Sequence, residues 1–304
     1  MTPTFLHIGL PKTGTTSLQG NLFSRHSGLA YVGKPLLHDD PEMRTSMRSL
    51  VEAPAREFDA AATARQIRDR YGRNGTVPLL VSEEEFSTGT HRVRVEPAEI
   101  ADRLAATFPG AHVLITIRRQ EDVFQSLYSH LMNVGFMPPI RFHEWIRHER
   151  GLPDGQGRIR LFDYERIHRT YSEQFGEDRV RVLLYEDLKA DPAGFVQEVC
   201  GFLGIDSSEG SDLTADDQAL NPRVNLRQLT WRRFVRITRP LPWDRVVDRL
   251  RLRKGLEHFL GGGPALDLEY EPGDLAFLRD RFADSNRALS ERLGLNLGDR
   301  GYAI

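Results

Sequence analysis

The chain has 304 residues, with 41 Lys and Arg against 43 Asp and Glu, and a formal net charge of −2. Apolar residues make up 39% and charged residues 28%, which is typical of globular proteins and excludes disordered and collagen-like chains. The single cysteine, Cys200, excludes a disulfide scaffold. No apolar run reaches the ~18 residues of a transmembrane helix, and the amino terminus lacks the basic region of a signal peptide. We therefore expect a cytoplasmic protein of enzyme size.

Apolar runs that alternate with helical patterns predict a parallel β-sheet with helices on both faces. The predicted strands cover Thr4–Gly9, Val77–Ser82, His112–Ile117 and Val180–Tyr185. The predicted helices cover Thr15–Ser24, Pro97–Phe108, Glu121–Asn133, 142–150, 162–175 and Pro192–Leu203, with further helical stretches in 35–75. The C-terminal third is mostly helical, with Asp274 as the cap of a final helix that Gly294 ends. We predict an α/β fold in one domain over 1–304: a central parallel sheet flanked by helices, with a helical C-terminal part.

The segment between the first strand and the first helix has the residue types of an anion site. Backbone N–H groups of a first helical turn have no partners within the helix, and the helix dipole adds positive charge there. An anion binds readily at such a point. Gly14 lets the backbone approach the anion, and Lys12 adds a mobile positive charge. The predicted anion-binding residues are Pro11, Lys12, Thr13, Gly14, Thr15, Thr16 and Ser17.

This loop differs from the Walker A loop of nucleotide-hydrolysing enzymes, in which the lysine follows the second glycine. Here Lys12 precedes Gly14, and no acidic residue is placed to hold Mg²⁺. From the residues alone, two alternatives stay open: a functional phosphate site, or an ordinary anion-capping turn.

A second candidate for anion binding follows the third predicted strand. Arg118 comes directly after that strand, and Ser126 lies eight residues later in the next helix. Ligands of open α/β sheets bind outside the carboxyl ends of the strands, where an Arg offers a planar fork to a phosphate. The alternative is that Arg118 pairs with Asp122 and Ser126 faces solvent. Together, the two candidates describe a ligand with phosphates at two separate positions.

This pair of elements resembles the sulfotransferases that use 3′-phosphoadenosine-5′-phosphosulfate (PAPS). The run Lys12–Thr16 is similar to the 5′-phosphosulfate loop of that family, and Arg118 with Ser126 is similar to its 3′-phosphate site. The segments Tyr185–Lys189 and Ser285–Gly294 also resemble family segments, the second that of bacterial members. The resemblance implies a P-loop-like sulfotransferase fold.

Two further segments resemble nucleotide contacts of the family less closely. Arg253, Lys254 and Gly255 match three letters of a 3′-phosphate segment, although the residues that follow do not match. Asn225 ends a run, 221–225, at the place where bacterial members carry an Asn/Ser loop, but the Ser is missing here.

The resemblance implies sulfuryl transfer from PAPS to an acceptor hydroxyl or amine, with 3′-phosphoadenosine-5′-phosphate (PAP) as the second product and without a metal. Lys12 would balance the charge of the leaving phosphate. The general base is predicted among Glu83, Glu84 and His130, in that order, because the two carboxylates follow the second predicted strand. The alternative for the acidic run is a solvated helix start. His7 is expected to be packed in the first strand.

The segment 223–254 carries ten Arg and one Lys against two Asp, which suggests a surface for an anionic partner or, equally, a solvated helix. We predict a glycan or glycolipid acceptor first, an anionic saccharide included, and a small alcohol, phenol or peptide Tyr second. Two other functions stay open: a P-loop nucleotide kinase, and a non-enzymatic anion- or nucleic-acid-binding protein that uses this basic surface. No nucleic-acid partner is expected under the first hypothesis. Cys200 is predicted to be a buried apolar residue rather than a nucleophile.

Overall fold

The computed structural model describes residues 2–89, 95–153, 156–210, 225–238, 253–266 and 268–304. Its centre is a sheet of five parallel strands in the order β2-β3-β1-β4-β5. The strands are β1 (Thr4–His7), β2 (Ala30–Val32), β3 (Leu79–Ser82), β4 (His112–Ile117) and β5 (Val180–Leu184). Nearly every residue of these strands is buried, as expected for a parallel sheet covered by helices.

Helices connect the strands and account for most of the remaining chain, which confirms the predicted α/β fold class. They are α1 (Thr15–Ser17), α2 (Pro41–Glu52), α3 (Ala60–Tyr71), α4 (Glu85–Thr88), α5 (Pro97–Thr107), α6 (Gln120–Val134), α7 (Phe142–Arg150), α8 (Tyr164–Phe175), α9 (Tyr185–Ala190), α10 (Pro192–Leu203), α11 (Leu226–Ile237), α12 (Arg253–Gly261) and α13 (Pro272–Leu293). A π-helical turn, Leu18–Phe23, continues α1.

Four details of the predicted elements were wrong. The sheet has a fifth strand, β2, which sequence reasoning missed because a run of three residues carries no periodic signal. The helix predicted over Thr15–Ser24 is α-helical only in its first turn. Tyr185 begins α9 instead of ending β5. The last helix begins at Pro272, so Asp274 lies inside its first turn and is not its cap.

The apolar core of the sheet joins β1, β3, β4 and β5 to the helices that cover them. Phe5, Leu80, Leu114 and Leu183 pack there with residues of the π-helical turn and of α10. Cys200 belongs to the same cluster and has no exposed surface, and burial raises the pKa of its thiol to about 11. The prediction that Cys200 is a packed residue is therefore confirmed.

The chain divides into two compact units. The first comprises Met1–Arg119, Ile159–Ala215 and Phe282–Ile304, and it contains the whole sheet. The second comprises Gln120–Arg158 and Asp216–Arg281. Aromatic contacts organise this second unit: the ring of Phe142 lies 5.4 Å from that of Tyr128 and 4.9 Å from that of Tyr270. One domain over 1–304 stays a prediction.

None of the helices in the described parts of the chain is long and apolar enough to cross a membrane.

Replacing Leu114 by Ala tests how strongly the sheet core contributes to stability. Leu114 is fully buried in β4, so we expect the free energy of unfolding in urea to fall by about 2–5 kcal/mol. Arg181→Ala is the control, because Arg181 is exposed on β5 and its ion pair with Glu198 spans 3.8 Å at the surface. A loss below about 1 kcal/mol for Leu114→Ala, as is typical of exposed pairs, would contradict this account.

Candidate active site

The loop after β1 is held in a tight conformation by its own residues. Lys12 has a φ of 71° and Gly14 a φ of 85°, in the left-handed region that glycine adopts without strain. The Thr13 hydroxyl donates to the Leu10 carbonyl over 2.7 Å and lies 3.0 Å from the hydroxyl of Thr116 in β4. One hydrogen bond within the loop and one contact with β4 therefore hold the loop in place before α1 begins.

The predicted anion-binding residues stand at the start of one continuous helical segment. Thr15, Thr16 and Ser17 form the first turn of α1, so the helix itself offers no carbonyl to which their backbone N–H groups could donate. Thr16 is exposed, whereas Thr15 and Ser17 are buried. A helical turn therefore begins after the first strand, and anion binding at that turn stays a prediction.

Arg118, at the carboxyl end of β4, lies directly against this loop. Its Nη1 donates to the Lys12 carbonyl over 3.1 Å, and its guanidinium lies 4.5 Å from the ring centre of Tyr185. The hydroxyl of Tyr164 donates to the Arg118 carbonyl over 2.5 Å, which fixes the backbone. The Nε of Arg118 is buried and has no hydrogen-bond partner among the described residues. A half-buried cation with an unused donor is suited to an incoming anion.

The ring of Tyr185 links Arg118 to the loop. A Cβ built on Gly14 would lie only 2.9 Å from that ring, so a glycine is needed at this position for steric as well as conformational reasons. Tyr185 begins α9 and is 2% exposed. The sequence analysis named Tyr185 in the segment Tyr185–Lys189 but predicted no role for it. The pairing of β4 with β5 brings this residue to the loop, and that pairing is not visible in the sequence.

Three consecutive carboxylates follow β3, and their side chains have different partners. Glu84 accepts a hydrogen bond from the Thr15 hydroxyl, so it contacts the loop itself. Glu83 lies 3.5 Å from the Lys34 ammonium, in an ion pair whose carboxylate side is only 12% exposed. Glu85 begins the short helix α4. The acidic run therefore contacts the anion loop through Glu84.

The carboxyl of Glu85, the third acid of the run, has a shifted pKa. Burial raises the pKa of its carboxyl to about 7, and the neighbouring charge of Glu83 acts in the same direction. Burial acts to lower the pKa of Lys34, but the charges of the three glutamates outweigh it and the pKa of Lys34 is raised. Lys34 follows β2, and sequence reasoning overlooked it together with that strand.

His7 is a packed residue, as expected. It is fully buried, its Nδ1 lies 2.7 Å from the Ser82 hydroxyl, and its ring meets that of Phe23 edge-on at 5.2 Å. Burial lowers the pKa of the imidazole to about 3, so the ring is neutral at physiological pH. His7 therefore supports the strand beneath the loop.

The remaining predicted site residues belong to the second unit. Ser126 and His130 are half-buried on α6. The Asn225 side chain accepts from the Gln228 amide over 2.9 Å at the start of α11 and donates to the Leu260 carbonyl over 2.5 Å, so it caps one helix and ties it to α12. Gly255 lies within α12. The side chains of Arg253 and Lys254, and residues 221–224, lie outside what the structure describes. A nucleotide role for these residues stays a prediction.

Part of the predicted basic surface is engaged inside the second unit. Arg227 lies 4.4 Å from the ring centre of Phe259, and Arg232 donates to the Asn133 carbonyl over 3.0 Å. Arg233 donates to the Pro139 carbonyl over 2.6 Å and pairs with Glu144 at 3.1 Å. These three arginines stabilise the unit. Residues 239–252 of the basic segment lie outside the described part of the chain.

Comparison with known families decides between the functions left open by the residues. The sequence model described as "Sulfotransferase family" matches residues 3–209, which include the loop, the acidic run and Arg118. The chain belongs to the sulfotransferase family. Sulfuryl transfer is the chemistry that membership in this family supports, in place of phosphoryl transfer by a kinase. No curated protein matches the chain.

Several solved sulfotransferase structures are similar to this chain. A sulfotransferase from Alicyclobacillus acidocaldarius superposes with a TM-score of 0.57 at 18% identity and covers 98% of both chains. The sulfotransferase domain of the curacin biosynthetic pathway gives a TM-score of 0.40 at 16% identity, over 82% of this chain and 97% of that one. The corresponding domain of the Synechococcus PCC 7002 olefin synthase gives 0.39 at 14% identity, over 80% and 89%. The first likeness supports the P-loop-like sulfotransferase fold.

Among the described residues, no group of three or more His, Cys, Asp or Glu side chains is placed so that it could hold a metal ion. The expectation that the reaction needs no metal stays a prediction.

Glu85→Gln tests the raised pKa of the acidic run. The folded protein holds the Glu85 proton up to about pH 7, whereas an ordinary Glu releases it near 4.5. The stabilisation from this proton is complete below about pH 4.5 and is lost as the pH rises through about 7. We therefore expect the melting temperature of the wild type to fall relative to Glu85→Gln between about pH 5 and pH 8. Glu57→Gln is the control, because Glu57 is 59% exposed; parallel curves for wild type and Glu85→Gln would contradict the shift.

Proposed function

We propose that this protein transfers the sulfuryl group of PAPS to a hydroxyl group of an acceptor. The observation that carries the proposal is Arg118: a half-buried guanidinium, held by the Lys12 carbonyl and the Tyr185 ring beside an amide-lined loop, whose Nε has no hydrogen-bond partner among the described residues. Family membership supports the transfer of a sulfuryl group, and the two separate cationic positions support a donor with two phosphates.

The residues present fit such a nucleotide. The backbone of residues 13–16 and the hydroxyl groups of Thr15 and Thr16 would hold the 5′-phosphosulfate, because the first helical turn offers donors and partial positive charge. Arg118 would bind the 3′-phosphate through charge-assisted hydrogen bonds. Ser126, Asn225, Arg253, Lys254 and Gly255 stay as candidate contacts to the same nucleotide.

When bound, PAPS supplies an activated sulfuryl group on a phosphate leaving group. The contribution of the chain is to position this group and to balance the charges that develop around it. Lys12 would supply an ammonium to balance the charge of the leaving phosphate. The rigid turn from Lys12 to Gly14 keeps the amide donors in place, so the site needs little reorganisation during the reaction.

The proton of the acceptor hydroxyl needs a base, and we place Glu84 first. Glu84 contacts Thr15 of the loop, whereas Glu83 is engaged with Lys34. The Thr15 hydroxyl donates to the Glu84 carboxylate. A carboxylate at that position can equally accept the proton of an acceptor hydroxyl. Glu83 and His130 are the alternatives.

The acceptor is proposed to be a glycan or glycolipid hydroxyl, with a small alcohol, a phenol or a peptide Tyr second. Reaction in the cytoplasm is proposed as well. The internal contacts of Arg227, Arg232 and Arg233 speak against a binding module that depends on the basic segment.

Calorimetric titration of the full chain with PAP and with adenosine 5′-phosphate tests the donor. We expect PAP to bind at least about tenfold more tightly, because the 3′-phosphate gains charge-assisted hydrogen bonds worth about 1.5–3 kcal/mol. Arg118→Ala should remove this difference and leave the weak affinity for adenosine 5′-phosphate unchanged. Arg181→Ala is the matched control with a surface arginine removed. Equal affinity for both nucleotides in the wild type would contradict PAPS as the donor.

Single-residue variants of the acidic run identify the base. Glu84→Gln should lower kcat by about 10²–10⁴-fold, because the variant cannot accept a proton, while the affinity for PAP is retained. Glu83→Gln and His130→Ala should retain most of the turnover. The rate is measured by release of PAP from PAPS with a panel of sugar and phenol acceptors. Full activity of Glu84→Gln together with loss in Glu83→Gln or His130→Ala would reassign the base.

A further inference from the structure

The peptide group that joins Arg118 to Arg119 is held from both sides by side chains. Its carbonyl accepts a hydrogen bond from the Tyr164 hydroxyl over 2.5 Å, and its N–H donates to the Glu186 carboxylate over 3.0 Å. A peptide group is planar, so it cannot turn without breaking one of these two hydrogen bonds. The backbone from which the Arg118 side chain extends is therefore fixed.

The Glu186 carboxylate is fixed in turn by Tyr302. Its second oxygen accepts a hydrogen bond from the Tyr302 hydroxyl over 2.8 Å, and the Glu186 side chain is only 14% exposed. Burial, and after it the charge of Glu186, raise the pKa of the Tyr302 phenol well above its usual range, so the hydroxyl keeps its proton and donates. The Nε of Arg119 lies 3.9 Å from the first oxygen. Two hydrogen-bond donors and a cation therefore surround this half-buried carboxylate and stabilise its charge.

The segment that carries Tyr302 is itself anchored on the first unit. It begins with a short 3₁₀ helix, Gly298–Arg300, and Arg300 pairs with Asp187 over 2.5 Å. Tyr302 is 4% exposed, and its ring lies edge-on to that of Tyr164, with 6.5 Å between the ring centres. The two hydroxyl groups that hold the peptide group, one directly and one through the carboxylate, therefore come from one packed pair of rings.

Two neighbouring residues of α9 contact the two ends of Arg118. Glu186 accepts the hydrogen bond from the backbone N–H that follows Arg118, and the ring of Tyr185 lies 4.5 Å from the guanidinium. The Nη1 of Arg118 donates to the Lys12 carbonyl, and its Nε has no hydrogen-bond partner among the described residues. A long side chain carries a rotation of its backbone out to its charged end. The direction of the Nε donor therefore depends on the peptide group that Glu186 holds.

We propose that Glu186 and Tyr302 are positioning residues for Arg118: they set the direction of its guanidinium and thereby the preference of the site for a nucleotide with a 3′-phosphate. Neither residue needs to touch the nucleotide, because both act through the backbone of Arg118. The inference rests on the proposed use of PAPS and deepens it. It also gives a role to part of the segment Tyr185–Lys189, for which the sequence analysis predicted none.

Calorimetric titration of variants of the full chain with PAP and with adenosine 5′-phosphate tests the inference. Tyr302→Phe keeps the ring and removes the hydroxyl, so we expect the affinity for PAP to fall about three- to tenfold. The affinity for adenosine 5′-phosphate should stay as in the wild type, because this nucleotide has no 3′-phosphate. Tyr71→Phe is the matched control, because the Tyr71 hydroxyl also donates to a carboxylate, that of Asp40, over 2.8 Å between α3 and the start of α2.

Two substitutions of Glu186 separate positioning from a general effect on the fold. Glu186→Ala should remove most of the preference for PAP. Glu186→Gln should retain more of it, because the amide oxygen can still accept from the Arg119 N–H and the amide nitrogen can donate to the Tyr302 oxygen. A purely structural role of Glu186 would instead weaken the binding of both nucleotides alike.

The same titrations in an Arg118→Ala background show whether the effect passes through Arg118. There, Tyr302→Phe should cause no further loss of PAP affinity, because the guanidinium that Tyr302 positions is absent. A further loss as large as that in the wild-type background would overturn the inference and leave the PAPS proposal standing. The same holds if Tyr302→Phe and Glu186→Ala both keep the PAP preference of the wild type. Equal affinity of the wild type for the two nucleotides would overturn the proposed donor, and this inference with it.

Discussion

The parallel pairing of β1 with β3 on one side and β4 on the other is the constraint on which the site depends. Parallel strands end at the same edge of a sheet, so three distant segments of the chain meet where these strands stop. From β1 comes the anion loop, from β3 the acidic run, and from β4 Arg118. None of these segments could form a site alone, because each is held by contacts with another.

The charges at this edge are arranged in pairs rather than as one basic patch. Arg118 lies against the loop, Glu84 receives the Thr15 hydroxyl, and Glu83 pairs with Lys34 on the far side. An anion that binds at the loop would therefore meet Arg118 and the loop amides, with the Glu84 carboxylate beside Thr15.

The parts of the fold and site that were predictable are those that local sequence encodes. A β-rich run, a Gly-containing loop and a helical pattern in succession identify the anion loop, and the same logic places Arg118 at the end of a strand. β2 was not predictable in this way, because its three residues show no alternation. Lys34, which follows soon after β2, was overlooked for the same reason.

One ring, that of Tyr185, lies against both the anion loop and Arg118. The space over its edge limits residue 14 to a glycine, and its face supports the guanidinium of Arg118. A smaller side chain at 185 would remove the platform under Arg118 and relieve one close approach to residue 14, although the φ of 85° would still favour a glycine there. The effects of substitutions at positions 14, 118 and 185 are therefore not additive. In related chains, we expect these three residues to change together or to stay as they are.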